Sequence, residues 1–116
     1  MLDDILSNVV GSLRGIRAMV LVDRDGMLVS MAGDAGDGSL ELLAASYTDI
    51  ARKLTAIHEE TGLDGPGEIV TTMGSAGAVL HHRVTPDYAM IALLDADATL
   101  GRVRFELRKA AARLFD

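Results

Sequence analysis

Arg17-Ala18-Met19-Val20-Leu21-Val22-Asp23-Arg24-Asp25-Gly26-Met27-Leu28-Val29-Ser30-Met31 is the stretch on which the fold turns. From Arg17 to Asp23 apolar residues occupy both parities, the pattern of a strand covered on both faces. Asp23-Arg24-Asp25-Gly26 supplies turn chemistry, and Met27 to Met31 returns as a second strand, so the segment predicts a β-hairpin. Strict alternation in the return strand places Met27, Val29 and Met31 on one face and Leu28 and Ser30 on the other.

Upstream, Leu2, Ile5, Leu6, Val9, Val10 and Leu13 recur at three and four, the spacing of an amphipathic helix that Gly15 interrupts. Downstream, three glycines between Ala32 and Gly38 read as a loop, and Ser39 is placed to cap the next helix. Leu40, Leu43, Ala44, Tyr47, Ile50, Ala51, Leu54, Ile57 and His58 then mark one face of a long helix. Gly62 and Gly65-Pro66-Gly67 stop it. Three strands follow: Glu68 to Met73, Ala78 to Val84 and Tyr88 to Leu94, separated by turns at Gly74–Gly77 and Thr85–Asp87. Leu100, Val103, Leu107, Ala110, Ala111 and Leu114 close the chain with an amphipathic helix.

The expected order is α-β-β-α-β-β-β-α, an α/β (α+β) domain spanning residues 1–116 on a five-stranded, mostly antiparallel sheet. With 116 residues, 49% of them hydrophobic, the chain is sized for one core and buries roughly two-thirds of its unfolded surface. The absence of cysteine excludes disulfides, thiolate nucleophiles and cysteine-bound zinc. No window reaches the length of a membrane span, and Met1-Leu2-Asp3-Asp4 is acidic where a signal peptide is basic. A net charge of −6 and an aromatic content of 3% argue against nucleic acid and anionic lipid as partners. Arg102, Arg104, Arg108, Lys109 and Arg113 carry helical spacing with Glu106 among them, which reads as a solvated face.

Over nearly its whole length the chain resembles the roadblock/dynein-light-chain family. The resemblance is carried by Ala18 to Ser30, by the long middle helix rich in small residues, and by the closing stretch from Leu94 to Ala111. It points to a bacterial, gliding-motility-regulator-like homodimeric member with a profilin/longin-like architecture. It implies one helix on one face of the sheet and two on the other, and a homodimer in which middle helices pack together and third strands pair. It further implies a scaffold or regulator of Ras-like small GTPases that acts by reshaping its partner.

The residues themselves offer no catalytic constellation. Gly33-Asp34-Ala35-Gly36-Asp37-Gly38 lacks the lysine of a phosphate-binding loop and carries two carboxylates that repel phosphate. Asp23-x-Asp25-Gly26 and Asp95-x-Asp97 lack the rest of a calcium loop and read as turns. His81 and His82 are neighbours in a strand and point to opposite faces, so they cannot share an ion; His58 stands apart on a helix. Ser75 lies beside the histidine strand, but Gly74-Ser75-Ala76-Gly77 has neither the spacing nor the following helix of a hydrolase nucleophile. Arg24 and Arg52 could be offered as inserted arginines, a role the resemblance argues against.

The expected function is therefore a cytoplasmic homodimeric adaptor that binds a small Ras-like GTPase or another signalling protein, without enzymatic activity, cofactor or metal. Glu41, Ala45, Asp49, Arg52 and Lys53 form its expected docking surface. Leu42, Ser46, Ala56, Ile69, Val70, Thr71 and Thr72 form its expected dimer interface, because a helix smooth on its second side and a strand at a sheet edge both need cover. The alternative is a small-ligand sensor with a pocket between helix and sheet, lined by Met19, Met27, Met31, Met73 and Met90.

Overall fold

The computed structural model describes residues 2–115 except Ala35, Asp37, Ser75 and Ala76. The phosphate-loop and serine-nucleophile readings fall partly on those four and lie outside the described residues. Helix α1 spans Leu2–Ser12, strand β1 Ile16–Asp23, β2 Leu28–Gly33, helix α2 Ser39–Glu60, β3 Glu68–Thr72, β4 Ala78–Thr85, β5 Tyr88–Leu94 and helix α3 Leu100–Phe115. The strands form one sheet in the order β2-β1-β5-β4-β3, and every neighbouring pair is antiparallel.

Two layers of side chains sandwich that sheet. Ile5, Leu6 and Val9 of α1 and Val103, Leu107 and Ala110 of α3 meet Met19, Leu21, Leu80, Met90 and Leu94 on one face. Leu40 and Ala44 of α2 meet Ala18, Val20, Val22, Val79, Ala89 and Ile91 on the other. The central strands β1 and β5 are buried on both sides because each contributes alternate residues to both layers. The resemblance's expectation of one helix against two is met.

The hairpin departs from strict alternation. Leu21 pairs with Ser30 but Val22 pairs with Leu28, so Val29 is an extra residue in a β-bulge. Leu28 therefore packs with the α2 layer, while the Ser30 hydroxyl turns to the opposite face and donates to an Asp3 carboxylate oxygen of α1. These two residues do not share a face, although alternation alone would have placed them together. Asp23 stabilises the turn by accepting at Oδ1 from the backbone N–H of Asp25 at 2.9 Å and of Met27 at 3.0 Å, and Asp95 does the same for Asp97 at 2.8 Å.

The cap of α2 also differs. Gly38, in the left-handed region at φ 72°, holds the N-cap position with no side-chain bond, and Ser39 is already helical. At the far end Gly62 takes φ 76°, and Leu63 N–H donates to the His58 carbonyl at 2.7 Å, closing the helix much as the sequence predicts. Arg104 is not merely solvated: it joins α3 to β3 through Glu68. No helix among the described residues is long and apolar enough to cross a membrane.

Candidate functional site

Helix α2 lies across the strands and divides its face of the sheet into two regions with different chemistry. The flank formed by Thr48, Arg52, Thr55 and Glu59, spaced at three and four, borders a cleft of about 560 Å³ between the helix and the sheet. Its floor is Val22, His81 and Ala89, and its outer wall is built from the β1–β2 and β4–β5 turns together with Pro66. Small residues make the opening: Ala51 and Ala56 on the helix leave room where larger ones would reach the sheet. Gly26 brings the β1–β2 turn close under α2, since a Cβ there would lie 3.3 Å from the Ala45 Cα and Thr48 side chain.

Charge on the rim is largely paired. Arg24 Nε stands 3.3 Å from Asp87 Oδ1. Arg52 Nη2 donates to the Arg24 carbonyl and lies 3.4 Å from Asp25 Oδ1, so it braces the hairpin turn against the helix. Of the three buried side-chain atoms without a hydrogen-bond partner among the described residues, two are on the α2 side of the sheet: His81 Nδ1 and Thr48 Oγ1. Both residues are more than nine-tenths buried, at 6% and 7% exposure. Burial lowers the His81 pKa below its ordinary value, outweighing the opposing pull of the backbone, and the neighbouring His82 adds to the lowering. His82, on the opposite face beside Glu68 and Arg108, is lowered by burial too, and its Nδ1 is also unpartnered. The two histidines are thus separated by the sheet. His58 stands away from both, with its Nδ1 2.6 Å from the Asp64 carbonyl. Among the described residues no group of three His, Asp or Glu side chains is placed to hold a metal.

The opposite flank of α2 is apolar and open. Leu43, Ile50 and Ile57 recur at every seventh position with Tyr47 and Leu54 between them, the pattern of a helix seam. Ile50 is 42% and Ile57 55% exposed, although both belong to the face that periodicity assigns to the core. The stripe of nine positions from Leu40 to His58 is wider than the sheet below it can cover, and the excess width is the signal that distinguishes these two. Beyond the seam, Met31 of β2 is opposite Val20 of the α2 layer and is 43% exposed.

The expected docking residues Glu41, Ala45, Asp49, Arg52 and Lys53 are all exposed. Lys53 pairs with Asp49 at 3.3 Å, and Arg52 reaches the cleft rim rather than projecting outward. The expected dimer residues divide. Leu42 and Ser46 are exposed near the seam, but Ala56 lines the cleft on the other flank. On edge strand β3, Ile69 and Thr71 pair with His81 and Val79 and so face α2, while Val70 packs into the α1/α3 layer and Thr72 lies on that side as well. The methionines do not converge: Met19 and Met90 are fully buried beneath α1 and α3, whereas Met27 is 66% exposed and none of the five lines the cleft.

The chain superposes on a roadblock/LC7 domain from Streptomyces avermitilis with a TM-score of 0.86 at 17% identity, covering 97% of this chain and 92% of that one. MglB from Myxococcus xanthus gives 0.86 at 18% identity, covering 97% and 90%. An MglB with tetrameric arrangement gives 0.85 at 20% identity, covering 97% and 84%. This chain has the roadblock fold. At such identities the likeness is one of fold. No sequence-family model matches the chain, and no curated protein sequence matches it significantly.

Proposed function

We propose that this chain is a cytoplasmic homodimeric adaptor that docks a Ras-like small GTPase or another signalling protein and modulates it without supplying catalytic groups. The observation that carries the proposal is the α2 seam, in which Ile50 and Ile57 stand half exposed at heptad spacing on a chain with the roadblock fold. A helix with a second apolar side finds cover most simply against its own twin, because a two-fold interface reuses one patch twice. Edge strand β3, with Ile69 and Thr71 on the same side of the sheet, offers unpaired backbone for a matching strand beside that seam. The tetrameric arrangement of the similar MglB supports self-association of this architecture.

In such a dimer the charged residues Glu41, Asp49, Arg52 and Lys53 lie outside the seam and form the docking surface. The lack of a metal cluster among the described residues, and the bracing of Arg52 against the hairpin, favour action on the partner's own groups over an inserted arginine. Sedimentation at increasing concentration, followed by capture of small GTPases on immobilised protein with GDP or a GTP analogue, tests both halves. A dimer that retains a GTPase in one nucleotide state supports the proposal. A monomer at all concentrations removes the dimer, and indifference to nucleotide removes the regulator.

A further inference from the structure

Helix α3 concentrates positive charge that the rest of the chain lacks. It carries Arg102, Arg104, Arg108, Lys109 and Arg113 against the single Glu106, a net of +4 on a chain whose total is −6, so everything outside the helix amounts to −10. Two of the five cations are committed, Arg104 to Glu68 and Lys109 to Glu106. Arg102, Arg108 and Arg113 are exposed and form no ion pair with a described residue. The charge of Arg108 is felt nearby: it adds to burial in lowering the His82 pKa.

These side chains have an order around the helix. At about 100° per residue, Phe105 and Ala112 fall on one line along the outer face. Arg102, Lys109 and Arg113 run down one side of that line, and Arg108 stands on the other. From Arg102 to Arg113 the stripe is about 16 Å long. Phe105 is 60% exposed, while Val103, Leu107 and Ala110 close the core face of the same helix, and Lys109 Nζ lies 5.3 Å from its ring centroid. A lone exposed apolar residue needs no explanation. A bare phenylalanine in the middle of a basic stripe has the apolar centre and charged rim of a protein interface.

The surroundings restrict the partner. A second copy of α3 would bring the same charge and be repelled. An anionic membrane or a nucleic-acid duplex is broad: it would also meet α1 on the same side of the sheet, whose only charged residues are Asp3 and Asp4. Asp95 and Asp97 precede the helix, so the stripe is least opposed from Phe105 to Arg113. With screening over about 8–10 Å, a partner no wider than one helix senses the stripe more than the acidic remainder. We infer that the outer face of α3 docks an acidic helical peptide segment of another protein, whose carboxylates meet Arg102, Arg108 and Arg113 and whose apolar side chain meets Phe105. This face lies across the sheet from α2, so the inference stands apart from the adaptor reading and adds a second partner to it.

The test is a fluorescence-anisotropy titration of the full chain against labelled helical peptides of the same length as α3. They carry Glu at the spacing of one helix face around a central Leu or Phe. The same peptides with Gln for Glu, phosphatidylserine vesicles and duplex DNA serve as neutral and polyanionic counterparts. Saturable binding of the Glu peptides is expected, weakening as salt rises from about 0.05 to about 0.3 M. NMR amide shifts should follow α3 and leave Ile50 and Ile57 of α2 unmoved. The Arg108→Gln/Arg113→Gln variant should bind about fivefold or more weakly, and Phe105→Ala about threefold or more. Arg17→Gln, an exposed cation off the helix, should change nothing, and circular dichroism should show all variants folded. Absence of saturable binding, equal binding of the Gln peptides, tighter binding to vesicles or DNA, or an equal loss at Arg17 and at the α3 pair overturns the assignment.

Discussion

Arg104 Nε of α3 donates to both carboxylate oxygens of Glu68 on β3, at 2.7 and 3.0 Å. The link joins the last helix to the edge strand. The side chains are 38% and 28% exposed, so water screens the pair in part. Arg104→Gln should lower unfolding free energy by about 1 kcal/mol, between the values for surface and buried charged bonds. A urea midpoint checks it. Because the Glu68 charge holds the His82 pKa up against burial, Glu68→Gln should lower that pKa further, a shift visible in the ring resonances.

His81 and His82 make stability depend on pH. Both pKa values are depressed in the fold from an ordinary value of 6.5, so below that pH the unfolded chain takes up protons that the native one refuses. Stability rises with pH wherever the unfolded state binds more protons. The contribution is present in full above 6.5 and is lost as pH falls from there through the folded values. Denaturant midpoints across that range should decline with acidity, and the His81→Gln/His82→Gln variant should show a shallower decline.

Gly77 is the position at which a single methyl group should do most harm. It sits at φ 124°, and a Cβ there would lie 1.9 Å from the Leu94 carbonyl oxygen, backbone of the central strand β5. Gly77→Ala should cost more than about 2 kcal/mol, since neither the left-handed backbone nor the strand can yield. Thermal unfolding reads the loss directly.

Ile57→Glu separates association from folding. The side chain is 55% exposed in the single chain, so the monomer should change by no more than about 0.5 kcal/mol. Buried in a seam against its twin, the carboxylate would be unpaired, and the dimer dissociation constant should rise by about tenfold or more. Sedimentation equilibrium with circular dichroism on the same samples distinguishes the two effects.

The sequence made the layered sheet legible because β1 and β5 need apolar residues on both parities, and that pattern survives without any motif. It was blind to the bulge at Val29, since an extra residue in a strand changes no composition and only shifts Leu28 against Ser30. Ser39 was the better cap by chemistry, yet Gly38 takes that place because the left-handed backbone entering α2 suits glycine. Ile50 and Ile57 read as core because periodicity reports which side of a helix is apolar, not how much sheet lies beneath it. His81 was placed on one face of β4 correctly, but that it is buried under α2 while Ile50 and Ile57 are not depends on where the helix crosses the sheet, a three-dimensional fact.

Among the described residues, fifteen buried apolar side chains make up the layer under α1 and α3, and eight make up the layer under α2. The sheet and its two terminal helices thus form a keel, and α2 rides on it with few deep attachments. Elements held by little buried surface open at lower free energy than those in the main core. Amide protons of α2 should accordingly exchange well before those of β1 and β5. The seam and the cleft are the two margins of that one lightly moored helix, so whatever fastens one margin stiffens the other.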